Sequence, residues 1–265
     1  MSIHPSARID PRAVVEPGAV IGADVKVGPF SLVGPDVTLG EGVELRSHVI
    51  VTGWTDVGAG TVIYPFASIG EVPQDLKFAG ERTRLVIGQR NRIREHVTMN
   101  TGTAGGGGET RIGDDGLYMA GCHIAHDCRV GDRVIVVNHS AVAGHCVLED
   151  DVIVGGLSGI HQWVRLGRGA IIGALSMVTK DVVPYGLVTG PRAELDGLNL
   201  VGLKRRGVAR ADIQALRVAL LTLKQGEGTF QERARRLADE TESDYVRDMV
   251  EFITGASDRS FLVPR

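Results

Sequence analysis

The stretch Ile3-His4-Pro5-Ser6-Ala7-Arg8-Ile9-Asp10-Pro11-Arg12-Ala13-Val14-Val15-Glu16-Pro17-Gly18-Ala19-Val20-Ile21 holds a branched aliphatic residue at every sixth position, Ile3, Ile9, Val15 and Ile21. The same step continues without a miss through Val27, Val33, Leu39, Leu45, Val51, Val57 and Ile63 to Ile69. Four residues after each of the first eleven of these stands a small or β-branched residue, as in Ala7, Ala13, Ala19 and Val25. The period returns at Ile87, Ile93 and Met99, then restarts one residue out of phase at Ile112 and runs to Val178, with Tyr118 as its one non-aliphatic member. A six-residue repeat is the signature of a left-handed parallel β-helix, in which three short strands make one triangular coil of about 18 residues. A β-sandwich would require alternation of period two and loops of varied length. The expected fold is therefore mainly β: a β-helix over residues 1–190, of nine coils and about 43 Å in height. Glycines that follow the aliphatic residue, such as Gly22, Gly28, Gly34, Gly40 and Gly58, are expected where the coil needs tight turns or unusual backbone angles.

Two segments break the rule and should loop out from the coils: Glu71 to Glu81, and the glycine run Gly105 to Gly108. No Lys-Ser or Lys-Thr follows the glycines, so a flexible loop is favoured over a phosphate cradle. Composition changes after Pro191, because 33 of the 36 glycines lie at or before Gly207 and the tail is rich in Ala, Leu, Arg and Glu. Residues 191–265 read as a small C-terminal α-helical domain. Its expected helices are Ala209 to Lys224, Thr229 to Asp239 behind a threonine cap, and Ser243 to Thr254 with Ser243 in the capping position.

The 29 Lys+Arg and 32 Asp+Glu give a net charge of -3, which fits neither a nucleic-acid-binding polycation nor an acidic disordered tail. No apolar run is long enough to span a membrane, and the first residues lack the pattern of a signal peptide. The sequence points to a soluble cytoplasmic protein. Cys122, Cys128 and Cys146 all fall four residues after a repeat aliphatic, which places them in the interior as packing. In that compartment Cys128 and Cys146, one coil apart, are expected to stay reduced.

Five of the eight histidines, His123, His126, His139, His145 and His161, fall within 39 residues. Residues 18 apart stack in a continuous β-helix, so His126 shares a column with Gly144 and Gln162, and Asp127 shares the next with His145 and Trp163. Two imidazoles, a carboxylate, a carboxamide and an unobstructed backbone N–H gather within two coils, which suits acid–base chemistry. His139 and His48 read more simply as solvated side chains. Zinc is the rival for the cluster, but three converging imidazoles are not offered by the spacing, and no metal is expected.

Ala125-His126-Asp127-Cys128 preceded by His123-Ile124, with Ala143-Gly144-His145, Ile160-His161-Gln162, the Gln74-Asp75-Leu76-Lys77 loop and Gly202-Leu203-Lys204-Arg205-Arg206-Gly207, resembles the acyl-carrier-protein dependent UDP-N-acetylglucosamine 3-O-acyltransferases that begin lipid A synthesis in Gram-negative bacteria. The likeness runs nearly end to end. It implies transfer of a 3-hydroxyacyl group from acyl carrier protein, whose phosphopantetheine carries the thioester, to the 3-position of the sugar, with no bound cofactor. It implies a homotrimer with sites between neighbouring prisms. Carried over residue by residue, His126 is the general base, Asp127 its supporting carboxylate and Gly144 the oxyanion donor. Gln74, Asp75, Lys77, His123, His145, His161 and Gln162 hold the nucleotide sugar, and Asn199, Arg205 and Arg206 lie near the uridine and diphosphate. Gly156 and Ala174 belong to the acyl groove, where Ala174 is expected to end a chain of about ten carbons, on a ruler of roughly 13 Å along the prism from His126. The arginines of the helical domain, Arg210, Arg217 and Arg235, are the expected docking surface for the acidic carrier. Where relatives carry a uracil-contacting glutamate this chain has Val201, and where several carry a histidine before the glycine loop it has Asn100. Three other functions were weighed: the N-acyltransferase later in that pathway, which has a uridine-binding domain before its β-helix, a zinc-dependent hydratase, and a noncatalytic scaffold.

Overall fold

The computed structural model describes every residue except Met1, Ala256, Asp258 and Arg265. The chain winds as the left-handed parallel β-helix that the hexapeptide period predicts. Its first face runs from Ser2–Ile3 to Arg165–Leu166, its second from Arg8–Ile9 to Ile171–Ile172, and its third from Val14–Val15 to Met177–Val178, with nine strands each. Two further strands, Gly186–Thr189 and Glu194–Leu198, extend the second face and pair with each other antiparallel. Strands stack with an offset of 18, as in Ile3 opposite Ile21. At the first insertion Val57 pairs with Ile87, and at the second Ile87 pairs with Ile112, so both segments leave the coil and the ladder resumes in register.

The repeat aliphatics fill the prism: Leu39, Ile63, Ile69, Ile93, Ile124 and Val154 are wholly buried. Burial of each is worth roughly 1.5–3 kcal/mol. The cysteines share this interior, and all three thiols are free. Burial pushes the Cys122 thiol up to about 12 and raises that of Cys128. None of the three is therefore expected to react with a thiol reagent in the native protein, and all three should react after denaturation. Rapid native labelling in an Ellman titration would contradict this packing.

The corners correct the glycine expectation. Left-handed backbone recurs three residues after the aliphatic, and mostly on residues that carry side chains: Asp24, Phe30, His48, Asp127, His145 and Trp163 all have φ between 55° and 68°. Gly22, Gly28, Gly34, Gly40 and Gly58 are not in that conformation. They are required by close approach instead, since a Cβ on Gly28 would lie 2.8 Å from the carbonyl carbon of Arg46 in the next coil.

Four helices close the upper end: α1 (Leu200–Arg205), α2 (Arg210–Lys224), α3 (Phe230–Glu240) and α4 (Asp244–Thr254). Thr229 and Glu232 form a reciprocal capping box on α3. Ser243 precedes α4 but makes no side-chain cap, because its hydroxyl donates to Asp212 at 2.7 Å. The strand Glu194–Leu198 and the short α1 were not anticipated from composition. A buried carboxylate ties the tail to the prism: Asp181 accepts Arg165 Nε at 2.7 Å and the Ser257 hydroxyl at 2.9 Å, while the Arg165 guanidinium lies 4.5 Å over the Phe252 ring.

Candidate active site

The third and first faces meet at a corner where Asp127, His145 and Trp163 follow one another up successive coils. On an extended strand, His126 and Asp127 would project to opposite sides. At the corner Asp127 adopts φ 59°, which folds its side chain back toward its neighbour, and Oδ2 lies 2.8 Å from His126 Nδ1. An ionised carboxylate only accepts hydrogen bonds, so Nδ1 carries the proton and Nε2 keeps its lone pair. Both residues are buried, with the Asp127 side chain 1 % exposed.

Gly144 lies one coil above, as the 18-residue winding predicts. A Cβ there would lie 2.5 Å from His126 Cε1 and 2.7 Å from Nε2, so only glycine leaves the imidazole its place. The Gly144 N–H donates to no acceptor among the described residues. His145 packs edge-on to His126 with ring centroids 4.9 Å apart, and Trp163 stacks flat on His145 at 3.8 Å and 2°. Burial lowers the His145 pKa, with the proximity of His126 acting the same way and Asp127 opposing. His123, on the third face, is also lowered, first by burial and then by His126, and its Nδ1 lies 2.7 Å from the Thr98 hydroxyl. Both imidazoles are thus held neutral near pH 7.

The first insertion folds over this corner. Asp75, Lys77, Phe78 and Glu81 line a cavity of about 310 Å³ together with Thr103, His145 and Trp163. Asn100 anchors the start of that loop by donating Nδ2 to the carbonyls of Glu71 and Val72 at 3.2 and 3.0 Å. Gln74 is exposed on the same loop, and His161 and Gln162 are exposed at the top of the corner. The glycine run closes down instead of hanging free: Ala104–Gly106 form a 3-10 turn, and Gly106 sits so near Asp127 that a Cβ would overlap the carboxylate. On the other side a cavity of about 610 Å³ opens between Asp127, His145, Trp163, Arg129, Arg165 and Arg259. Trp163 and Thr103 are the contacts missing from the sequence-derived site. The first stands in the Asp127 column and was legible there, whereas the second lies in an insertion that has no register.

The remaining expected residues stand at other corners. Gly156 and Ala174 stack on each other where the second face meets the third, beside the exposed Leu157 and Leu175. The separation of His126 and Ala174 is not a whole number of coils, so within one chain the two stand at different corners of the prism. Asn199, Arg205 and Arg206 gather at the third corner. There Asn199 is buried as the cap of α1, accepting from Gly202 N at 2.9 Å and donating to Gly169 O at 3.0 Å. The Arg206 guanidinium packs over Gly169, while Arg205 is exposed.

His126, Asp127 and His145 place ligand-type atoms within 4.8 Å of one another. The carboxylate among them is already engaged by three donors: Asp127 Oδ1 accepts Thr103 N at 2.8 Å, and Oδ2 accepts both the Thr103 hydroxyl at 2.7 Å and His126 Nδ1.

Comparison with known proteins gives the family. The family model described as "Udp N-acetylglucosamine O-acyltransferase; Domain 2" matches residues 181–262, and the bacterial transferase hexapeptide model matches residues 1–35 and 18–53. An acyl-[acyl-carrier-protein]–UDP-N-acetylglucosamine O-acyltransferase of Paracoccus denitrificans is 65% identical over 203 residues, 77% of each chain. The protein of that name from Caulobacter vibrioides is 53% identical over 84% of this chain and 85% of its own. The solved UDP-N-acetylglucosamine acyltransferase of Campylobacter jejuni superposes with a TM-score of 0.91 at 39% identity, covering 97% of this chain and all of that one. A hexapeptide prism with a histidine–carboxylate corner, matched at this identity along most of its length, belongs to the acyl-[acyl-carrier-protein]–UDP-N-acetylglucosamine O-acyltransferase family.

Proposed function

We propose that the chain catalyses the reaction its relatives are named for, moving a 3-hydroxyacyl group from acyl carrier protein to the 3-position of the glucosamine ring of UDP-N-acetylglucosamine, the first step of lipid A biosynthesis. The observation that carries this reading is the His126 ring, fixed by Asp127 at Nδ1 and packed against Gly144, whose N–H donates to no acceptor among the described residues. Nε2 takes the proton of the sugar 3-hydroxyl as its oxygen attacks the thioester carbonyl. Charge gathers on the former carbonyl oxygen, which accepts from Gly144 N–H. Collapse expels the phosphopantetheine thiolate, and His126 returns the proton to sulfur. The neutral His123 and His145, together with Asp75, Lys77, Gln74, His161 and Gln162, bind the sugar.

The division of the expected residues among three corners supports a homotrimer, because a neighbouring prism can bring Gly156 and Ala174, or Asn199, Arg205 and Arg206, to the corner that carries His126. In that assembly Asn199 acts through the helix it caps. Leu157, Leu175 and Met177, all exposed in the single chain, supply apolar walls for an acyl groove. Arg217, beside an apolar cavity of about 470 Å³ with Lys224, joins Arg210 and Arg235 as the docking surface for the carrier. Among the described residues no helix is long and apolar enough to cross a membrane, in keeping with work in the cytoplasm on a soluble carrier.

The test is a product assay with UDP-N-acetylglucosamine and 3-hydroxyacyl carrier proteins of graded length. The expected donor has about ten carbons, which the roughly 13 Å rise between the two coils accommodates. Ala174→Gly should move the preference to longer chains. An unchanged length profile would show that Ala174 does not end the groove, and the absence of any acylated sugar would overturn the function.

A further inference from the structure

The Asp127 carboxylate has a choice of imidazoles. Its Oδ2 lies 2.8 Å from His126 Nδ1 but also 3.7 Å from His145 Nδ1, so a modest rotation would trade one partner for the other. The second insertion is built to prevent this. Thr103 meets the carboxylate with both of its donors, N–H to Oδ1 at 2.8 Å and hydroxyl to Oδ2 at 2.7 Å. The hydroxyl in turn accepts from Gly106 N at 3.2 Å, which leaves its own proton directed at Asp127. Gly106 packs against the carboxylate without a Cβ, and the Asp127 N–H is held by the Thr110 hydroxyl at 2.8 Å. Glu81 fastens the turn from outside: one carboxylate oxygen accepts Ala104 N at 3.1 Å and the other Ala79 N at 2.8 Å. The loop that carries Asp75 and Lys77 is thereby joined to the turn that carries Thr103.

We infer that Thr103 is a positioning residue of the acyl transfer, clamping the Asp127 carboxylate in the orientation that keeps the His126 ring aligned and its proton on Nδ1. The inference rests on His126 acting as the base. Both Thr103 donors are taken up by Asp127, in the cavity that Asp75 and Lys77 also line. Thr103 acts through Asp127, and a carboxylate shared between two imidazoles would leave His126 misaligned in part of the population.

Steady-state rates for wild type, Thr103→Val, Thr103→Ser and His126→Ala decide the matter. Thr103→Val should lose kcat by about 10–100-fold, as small misplacements of reacting groups do. The KM for UDP-N-acetylglucosamine should stay within about twofold, since substrate contacts persist. Thr103→Ser, which keeps both donors, should restore kcat. Rates are normalised to the folded fraction measured by circular dichroism, and the split between kcat and KM reads the proposal even where valine costs stability. Gly106→Ala, which crowds the same carboxylate from the other side, should also lower kcat. A Thr103→Val enzyme with wild-type kcat, beside an inactive His126→Ala, overturns the positioning role and leaves the base in place. A serine variant no better than valine also overturns it. An active His126→Ala removes the base reading itself.

Discussion

Replacing His126 with alanine is expected to lower kcat by about 10²–10⁴-fold, the usual contribution of a positioned general base. The rest of the machinery stays in place, because the ring lies in a cleft between Asp127 and Gly144 and holds up no part of the prism core. Residual turnover would come from the Gly144 N–H and from binding the two substrates side by side. His145 is a poor substitute, since its ring is stacked flat on Trp163 with Nδ1 turned toward Asp127. The KM for UDP-N-acetylglucosamine should change little, which separates loss of a base from loss of a sugar contact. Steady-state kinetics with a 3-hydroxyacyl carrier protein make the comparison, and equal rates for variant and wild type would exclude His126 from the proton transfer.

The largest stability effect is expected far from the chemistry, at Asp181. This carboxylate is fully buried and accepts from Arg165 N, Arg165 Nε and Ser257 Oγ at 2.7–2.9 Å. Its backbone joins the tail as well, donating to Ser260 O and accepting from Leu262 N. Alanine would leave the Arg165 guanidinium, 16% exposed and stacked between Phe252 and Phe261, as a charge with no counter-ion. Breaking a buried pair on one side typically costs about 3–5 kcal/mol, more than removing both partners. Urea unfolding of Asp181→Ala should show that loss, and Asp181→Ala with Arg165→Met should recover part of it. A single variant within about 1 kcal/mol of wild type would mean the pair contributes nothing to docking the tail.

Much of the architecture could be read from the chain because one physical requirement recurs every six residues: an aliphatic side chain must enter the prism. The same winding placed Gly144 over His126 and Trp163 over His145 from arithmetic alone. What escaped the sequence depends on backbone angles at the corners and on the turns of the insertions, which residue identity does not announce. Asp127 turns to His126 only because its backbone is left-handed, and nothing in an Asp at that position announces it, since Phe30 and His48 adopt the same angle. Thr103 and Glu81 sit in insertions, where neighbours in space are fixed by the loop's own turns. Gly156 and Ala174 stack on each other as the winding predicts, but a count of coils gives their height above His126 and omits the rotation about the axis. The hairpin partner Glu194–Leu198 and the six-residue α1 are too short to leave a periodic trace.

The left-handed corners have a wider consequence. Packing in the prism is the task of two positions in six, the aliphatic and the small residue four places after it, and most corner residues between them stay outside the interior. A side chain there is mounted on a rail that the coil holds rigid whatever it carries, whether Asp, Arg, His, Leu or Trp. The scaffold therefore separates the alphabet of folding from the alphabet of chemistry. New reactivity can be written along an edge, one coil at a time, without rewriting what keeps the prism together.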